Sequence, residues 1–141
     1  GNMPLYEVLT TQGTLDADKR EKLAAHIVKV HTGETGSPAD FVQVIFPELP
    51  AGHSYTAGAV ATPHIIRATI RAGRTIAVRQ AIIRRLFEFY SELTGADAME
   101  VVVAVSDIPA QWAMEGGMIM PEPTAEAEAA WFAKLKSNRD S

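Results

Sequence analysis

The chain has 141 residues, a net charge of −4 and a hydrophobic share of 47%, which suits one domain with a real core and argues against a nucleic-acid binder held by charge. It contains no cysteine, which excludes disulfides and thiolate metal sites and fits a reducing compartment. No apolar run approaches the ~18 residues of a membrane span, and the start lacks the basic-then-apolar pattern of a signal peptide, so the expectation is a cytoplasmic protein.

The chain opens GNMPLYEVLTT. Pro4 stands before a strand-like run, where it can donate no backbone hydrogen bond. Gly1 and Asn2 read as a cloning remnant and Met3 as the initiator methionine, which leaves one domain over 4–141 with Pro4 as its first residue. An N-terminal proline carries a secondary amine in place of an amide. A free α-amino group titrates near ~8 and is lowered by burial or nearby cations, so it can move protons near neutrality.

LYEVLTT predicts a short strand. A helix follows over about 15–33, with Asp16 or Asp18 near its start and Leu23, Ile27 and Val30 inward. Residues 41–46 form a near-continuous apolar run of the buried strand kind. A loop, AGHSYTAGAVATP, spans 51–63. The pattern then recurs: a strand over 65–71, a helix over about 75–93 with Ile76, Ile83, Leu86, Phe87 and Tyr90 inward, and a strand over 100–105.

The recurrence is an internal repeat. Sliding the chain by 59 positions lays Pro4 on Pro63, ETG at 34–36 on LTG at 93–95, and FVQVIFPELPA at 41–51 on EVVVAVSDIPA at 100–110, with no gap. The halves are about 4–52 and 63–111, with a tail over 112–141. The predicted class is therefore α/β (α+β): two tandem β-α-β units forming a four-stranded sheet with two helices on one face, the strands of each unit parallel. The other sheet face needs cover, which an oligomer would supply. In the tail, Thr124 is placed to cap a helix with Ala127, Trp131 and Leu135 on one side, for packing or a subunit contact, or as a flap over a pocket.

Positive charge gathers in the middle. Between Leu49 and Phe87 there is no acidic residue, yet Arg67, Arg71, Arg74, Arg79, Arg84 and Arg85 lie there, which suggests an anionic ligand. Arg79, Arg84 and Arg85 fall off the apolar stripe and read as a solvated helix face. Arg71-Ala-Gly-Arg74 stands where a strand turns into a helix, and its two arginines can grip one carboxylate or merely solvate a turn. His31 falls on the inward face of the first helix, where a core role is the commoner one. Glu115, in AQWAMEGG, is either a water-activating carboxylate or a loop residue. The histidines make no metal site: His26 and His31 stand roughly 140° apart around a helix. There is no H-E-x-x-H, no G-x-S-x-G and no phosphate-binding glycine loop.

Together these stretches resemble the tautomerase superfamily, in particular its cis-3-chloroacrylic acid dehalogenase-like branch. The resemblance covers Pro4 to about Leu135. It is carried by PLYEV, by the helix ending in His31 before ETG, and by VIFPELPAG, RAGR and DIPAQWAMEGGMIMP. It implies the tautomerase fold (the 4-oxalocrotonate tautomerase/MIF-like type), a homotrimer, no cofactor or metal, and a small carboxylate substrate, with neither nucleic acid nor membrane as partner. Pro4 matches the catalytic proline, Glu115 the water-activating glutamate, and His31, Arg71 and Arg74 the carboxylate-binding residues. One position departs: the dehalogenase has a tyrosine in its last strand where this chain has Ala104.

The resemblance implies addition of water to an unsaturated carboxylate, or dehalogenation of a cis-3-haloacrylate, with Glu115 as base and Pro4 as acid. The loss of the tyrosine favours an alternative, enol–keto tautomerisation of a phenylpyruvate or 2-hydroxydienoate type with Pro4 as base. A non-catalytic trimeric interaction module is the third reading.

Overall fold

The computed structural model describes residues 4–140; the expectation about Gly1–Met3 lies outside them. The strands are β1 (Leu5–Thr11), β2 (Gln43–Ile45), β3 (Glu48–Leu49), β4 (Tyr55–Thr56), β5 (Ala59–Val60), β6 (His64–Arg71), β7 (Val101–Ile108), β8 (Met114–Glu115) and β9 (Met118–Ile119). The helices are α1 (Ala17–Thr35), α2 (Ile76–Thr94) and α3 (Ala125–Asp140). The main sheet runs β2-β1-β6-β7. β1 pairs parallel with β2 and antiparallel with β6, β6 pairs parallel with β7, and β3 extends the β2 side along β1.

The helices begin and end where local chemistry directs. The Asp16 carboxylate caps α1 by accepting from the Lys19 amide at 2.8 Å, and the Thr75 hydroxyl caps α2 through the Val78 amide at 3.1 Å. Gly36 and Gly95 close the helices in left-handed conformation, with φ of 75° and 71°. Leu23, Ile27, Val30 and His31 of α1 and Ile82, Leu86 and Tyr90 of α2 bury against Tyr6, Val8, Ile66, Ala68 and Ile70 of the sheet. Each such large apolar side chain contributes roughly 1.5–3 kcal/mol.

Several expectations are corrected. Ile82, not Ile83, is the fully buried isoleucine of α2, and Ile76 is 74% exposed; the inward stripe runs Val78-Ile82-Leu86-Tyr90, four apart. The run 41–46 is not a buried strand. Phe41 ends a 3-10 turn, Ala39–Phe41, and β2 is a three-residue edge strand with Gln43 and Ile45 exposed. The loop at 51–63 folds into the β4–β5 hairpin, and a matching hairpin, β8–β9, follows β7. Arg79 pairs with Asp107, and Arg85 reaches Glu34 of α1 at 2.8 Å, so neither is merely solvated.

The repeat also needs one gap. The 59-residue spacing relates the helices, their caps, the 3-10 turns Ala39–Phe41 and Ala98–Glu100, and the two hairpins, whose turns both take positive φ (Ala57-Gly58 and Gly116-Gly117). It fails in the first strand of each half. Tyr6, Val8 and Thr10 are the buried residues of β1; His64, Ile66, Ala68 and Ile70, alternating, and the terminal Arg71 are those of β6. The shift of 59 lays Tyr6 on Ile65, which points the other way, because a slip of one residue flips every side chain. Sliding one residue further lays Tyr6 on Ile66 and Gly13 on Gly73. It also brings the Tyr6↔Val44 register onto Ile66↔Val103. Pro4 therefore corresponds to His64, not to Pro63.

α3 follows the expected pattern: the Thr124 hydroxyl accepts from the Ala127 amide at 3.1 Å. Trp131 is buried with Ala110 and Met120, against Phe41, Phe132 and Leu135. The sheet face away from α1 and α2 stays open, with Ala104 exposed, Val102 53% exposed, and Arg67 paired with Glu7 at 2.8 Å.

Candidate active site

Antiparallel pairing of β1 with β6 sets Leu5 opposite Thr69, so the start of β1 meets the end of β6 and the turn into α2. That turn carries Arg71 and Arg74. Pro4, just before β1, is buried, and its carbonyl accepts from the Gln43 amide at 3.1 Å. Two residues on, Tyr6 points toward α1, where its hydroxyl meets His31 Nδ1 at 2.7 Å.

His31 is 2% exposed. Burial, and then Arg74 and Arg71, hold its pKa down to about 4. It is thus a neutral ring near pH 7. Burial raises the Tyr6 pKa and keeps its hydroxyl protonated; in the tautomer in which that hydroxyl donates to Nδ1, the ring proton sits on Nε2. As a substrate contact His31 would be a neutral hydrogen-bond donor rather than a second cation. The arginines are oriented by the protein. Arg74 donates to the Thr35 carbonyl and to Ser37 Oγ, each at 3.1 Å. Burial, then Arg71, push its pKa down, with Glu128 acting the other way. Arg71, 8% exposed, donates to the Pro121 carbonyl at 2.9 Å and to Glu128 Oε1 at 2.6 Å.

Glu115 is buried at 9% exposure on β8. Its hairpin is held by the Trp131 indole N–H on the Ile119 carbonyl at 3.0 Å and by the Met120 amide on the Ala113 carbonyl at 2.9 Å. The strand leaving the hairpin carries the Pro121 carbonyl to Arg71. Ala104 stands apart, on the open sheet face beside Arg67. Tyr90 is buried on α2, its hydroxyl 2.6 Å from His64 Nδ1. Among the described residues no group of three or more histidines and carboxylates is arranged to hold a metal, and no helix is long and apolar enough to cross a membrane.

The sequence reading missed the residues that hold the site. Tyr6 was legible as the first apolar side chain on the inward face of β1. Glu128 was legible as the residue one helical turn before Trp131. Ser37 and the Pro121 carbonyl have no signal in sequence, because they act through proximity across the fold.

Comparison with known proteins bears on the family and the fold. The family model described as "Putative oxalocrotonate tautomerase enzyme" matches residues 3–136. No curated protein sequence matches. Among solved structures, native Ps01740 is 57% identical, covering 79% of this chain and 99% of its own, with a TM-score of 0.78. N1, a member of the cis-3-chloroacrylic acid dehalogenase family, is 28% identical, covering 94% of this chain and 99% of its own, with a TM-score of 0.80. The F6 fused 4-OT, a wild-type asymmetric trimer, is 27% identical, covering 82% of this chain and 94% of its own, with a TM-score of 0.74. With a family match over nearly the whole chain and that fold beneath it, this chain belongs to the tautomerase superfamily, in its cis-3-chloroacrylic acid dehalogenase-like branch.

Proposed function

We propose that the chain is a proline-based acid–base enzyme acting on a small unsaturated or 2-oxo carboxylate. The observation that supports this reading is the meeting of a buried Pro4 with the Arg71–Arg74 turn and a neutral, buried His31 at one end of the sheet. Arg71, Arg74 and the His31 N–H would hold the carboxylate and draw electron density from the adjacent double bond. Glu115 would take a proton from water as its oxygen bonds to the β-carbon. The cationic Pro4 amine would give its proton to the α-carbon. With a 3-haloacrylate the adduct then loses hydrogen halide and leaves an aldehyde acid. The amine exists only once Gly1–Met3 are removed; while they remain attached, Pro4 N is an amide and has no basic lone pair.

The resemblance, which lacks its tyrosine at Ala104, supports a second reading, as do the arginines: cations beside an amine lower its pKa, which favours a neutral proline. Pro4 would then take the proton from an enol oxygen and return one to carbon. In either case the assembly is proposed to be a homotrimer. The uncovered sheet face and the trimeric state of the similar fused 4-OT support this.

The test is protein with Pro4 confirmed as first residue by mass, assayed on cis-3-chloroacrylate and on phenylenolpyruvate beside Pro4→Ala. Halide release lost in the variant supports water addition, and ketonisation lost in the variant supports tautomerisation. Rates equal to the variant on both would overturn the catalytic reading and favour a non-catalytic trimer.

A further inference from the structure

α3 carries a carboxylate into the place assigned to the substrate's own. Glu128 Oε1 lies 2.6 Å from Arg71 Nη2, while Arg71 Nη1 is taken by the Pro121 carbonyl, so both terminal nitrogens of that guanidinium are engaged within the chain. Glu128 is itself largely covered, at 22% side-chain exposure. The helix is seated by contacts on the site's own loops. At Gly73, between the two arginines, a Cβ would stand 2.6 Å from the Pro123 ring, and at Gly116, beside Glu115, 2.4 Å from Leu135. The rigid Pro123 ring can approach this closely only because residue 73 is glycine, while the Leu135 methyl at Gly116 is the far end of a flexible side chain. Trp131 packs edge-on against Phe41 and bonds Ile119. Between Ser37, Phe41, Arg71, Met120, Glu128 and Trp131 a cavity of about 20 Å³ is left, room for roughly one water and not for a carboxylate group.

We propose that Glu128 is a specificity-determining residue of this site: an internal carboxylate, carried on α3, that a substrate carboxylate must displace from Arg71. The proposal rests on Arg71 and Arg74 being the carboxylate-binding pair and extends that reading. The Pro121 carbonyl and Glu128 take one N–H on each terminal nitrogen of the five the guanidinium offers, so the contest is over the end-on bidentate grip across Nη1 and Nη2. Glu128 also offsets the buried charge of Arg71 beside the half-buried Arg74, which weakens the pull on a second negative group in the ligand. The site thus selects small monocarboxylates, and entry of the ligand coincides with movement of α3 at Trp131.

The probe is acrylate, a small unsaturated carboxylate, titrated calorimetrically into the full chain; binding does not need the proline amine. Glu128→Gln keeps the shape and a hydrogen-bond acceptor while removing the charge, and should bind acrylate at least tenfold more tightly than the unaltered protein. Glu128→Asp, which withdraws the carboxylate by one methylene, should fall between. Glu126→Gln, on the same helix turn, should stay within twofold. In the unaltered protein, saturating acrylate should shift the indole N–H resonance of Trp131 and speed its exchange with solvent. Equal or weaker acrylate binding by Glu128→Gln overturns the proposal, as does an unmoved Trp131 resonance at saturation, or no acrylate binding by any of these proteins. Tighter binding by Glu128→Gln without any Pro4-dependent turnover would leave this inference standing and overturn the proposed reaction alone.

Discussion

Both halves of the molecule bury one tyrosine–histidine hydrogen bond between their first strand and their helix, and the two bonds run in opposite senses. In the first half the strand supplies Tyr6 and the helix His31; in the second the strand supplies His64 and the helix Tyr90. Yet the surroundings differ. His31 has Arg74 and Arg71 beside it, delivered by the other half because the start of β1 lies against the end of β6. His64 stands at the opposite end of that pairing, where the turn after β1 reads Gln12-Gly13-Thr14, and its charged neighbour is Glu100 at 3.9 Å. Where the first half has Pro4, the second has His64, an internal residue with no amine. Tandem repetition made two equivalent ends of one sheet, and the proposed chemistry needs residues that only one end has.

The largest expected effect separates those ends. In protein that begins at Pro4, Pro4→Ala should lower kcat/KM by about 10²–10⁴, the usual worth of a general acid or base. His64→Asn should leave it within about threefold. Equal losses would break the distinction.

The pH dependence of stability comes next. His31 titrates at about 4 in the folded chain and near its ordinary 6.5 when unfolded. Between those values the unfolded chain binds the extra proton. Stability is therefore full above pH 6.5 and is lost as pH falls toward 4, by roughly 3 kcal/mol. Denaturant titrations at pH 7, 5.5 and 4.5 should show that slope, and His31→Gln should flatten it. The pKa of His64 is also lowered by burial, but Glu100 opposes the shift, so its variant should flatten the slope less.

A smaller effect tests the arginine turn. Arg74→Lys replaces a fork that bridges the Thr35 carbonyl and Ser37 with one ammonium, and should raise KM about tenfold with kcat little changed. A fall in kcat alone would mean that the geometry of the fork, and not only the charge that lysine keeps, serves the chemical step. The smallest effect is the most discriminating. Tyr6→Phe and Tyr90→Phe each leave a buried histidine nitrogen without its hydroxyl partner and should cost about 1–2 kcal/mol in stability by thermal or chemical unfolding. Tyr6→Phe alone should also change turnover, because Tyr6 sets the tautomer of His31.

Much of this protein is written locally. The strand LYEVLTT, the spacing Leu23-Ile27-Val30 and the Thr124 cap follow from propensity, periodicity and capping, and each stands where the sequence points. The family match over residues 3–136 spans stretches such as RAGR and DIPAQWAMEGGMIMP, which are visible as motifs. Other features depend on phase or on contact across the fold. A shift of one residue in a strand reverses its faces, so the repeat pointed to Pro63 where register sets His64 against Pro4. Likewise Ile82 rather than Ile83 is buried, because helix α2 is turned by what the sheet and α1 leave room for.

Composition, period and motif therefore determined the two β-α-β units, the cationic turn and the branch of the superfamily, since these are carried by neighbouring residues. Only the tertiary structure decided that His31 is neutral, that Ser37 and Thr35 orient Arg74, and that Glu128 holds Arg71. Those follow from burial and from distances between residues tens of positions apart, which no local pattern encodes.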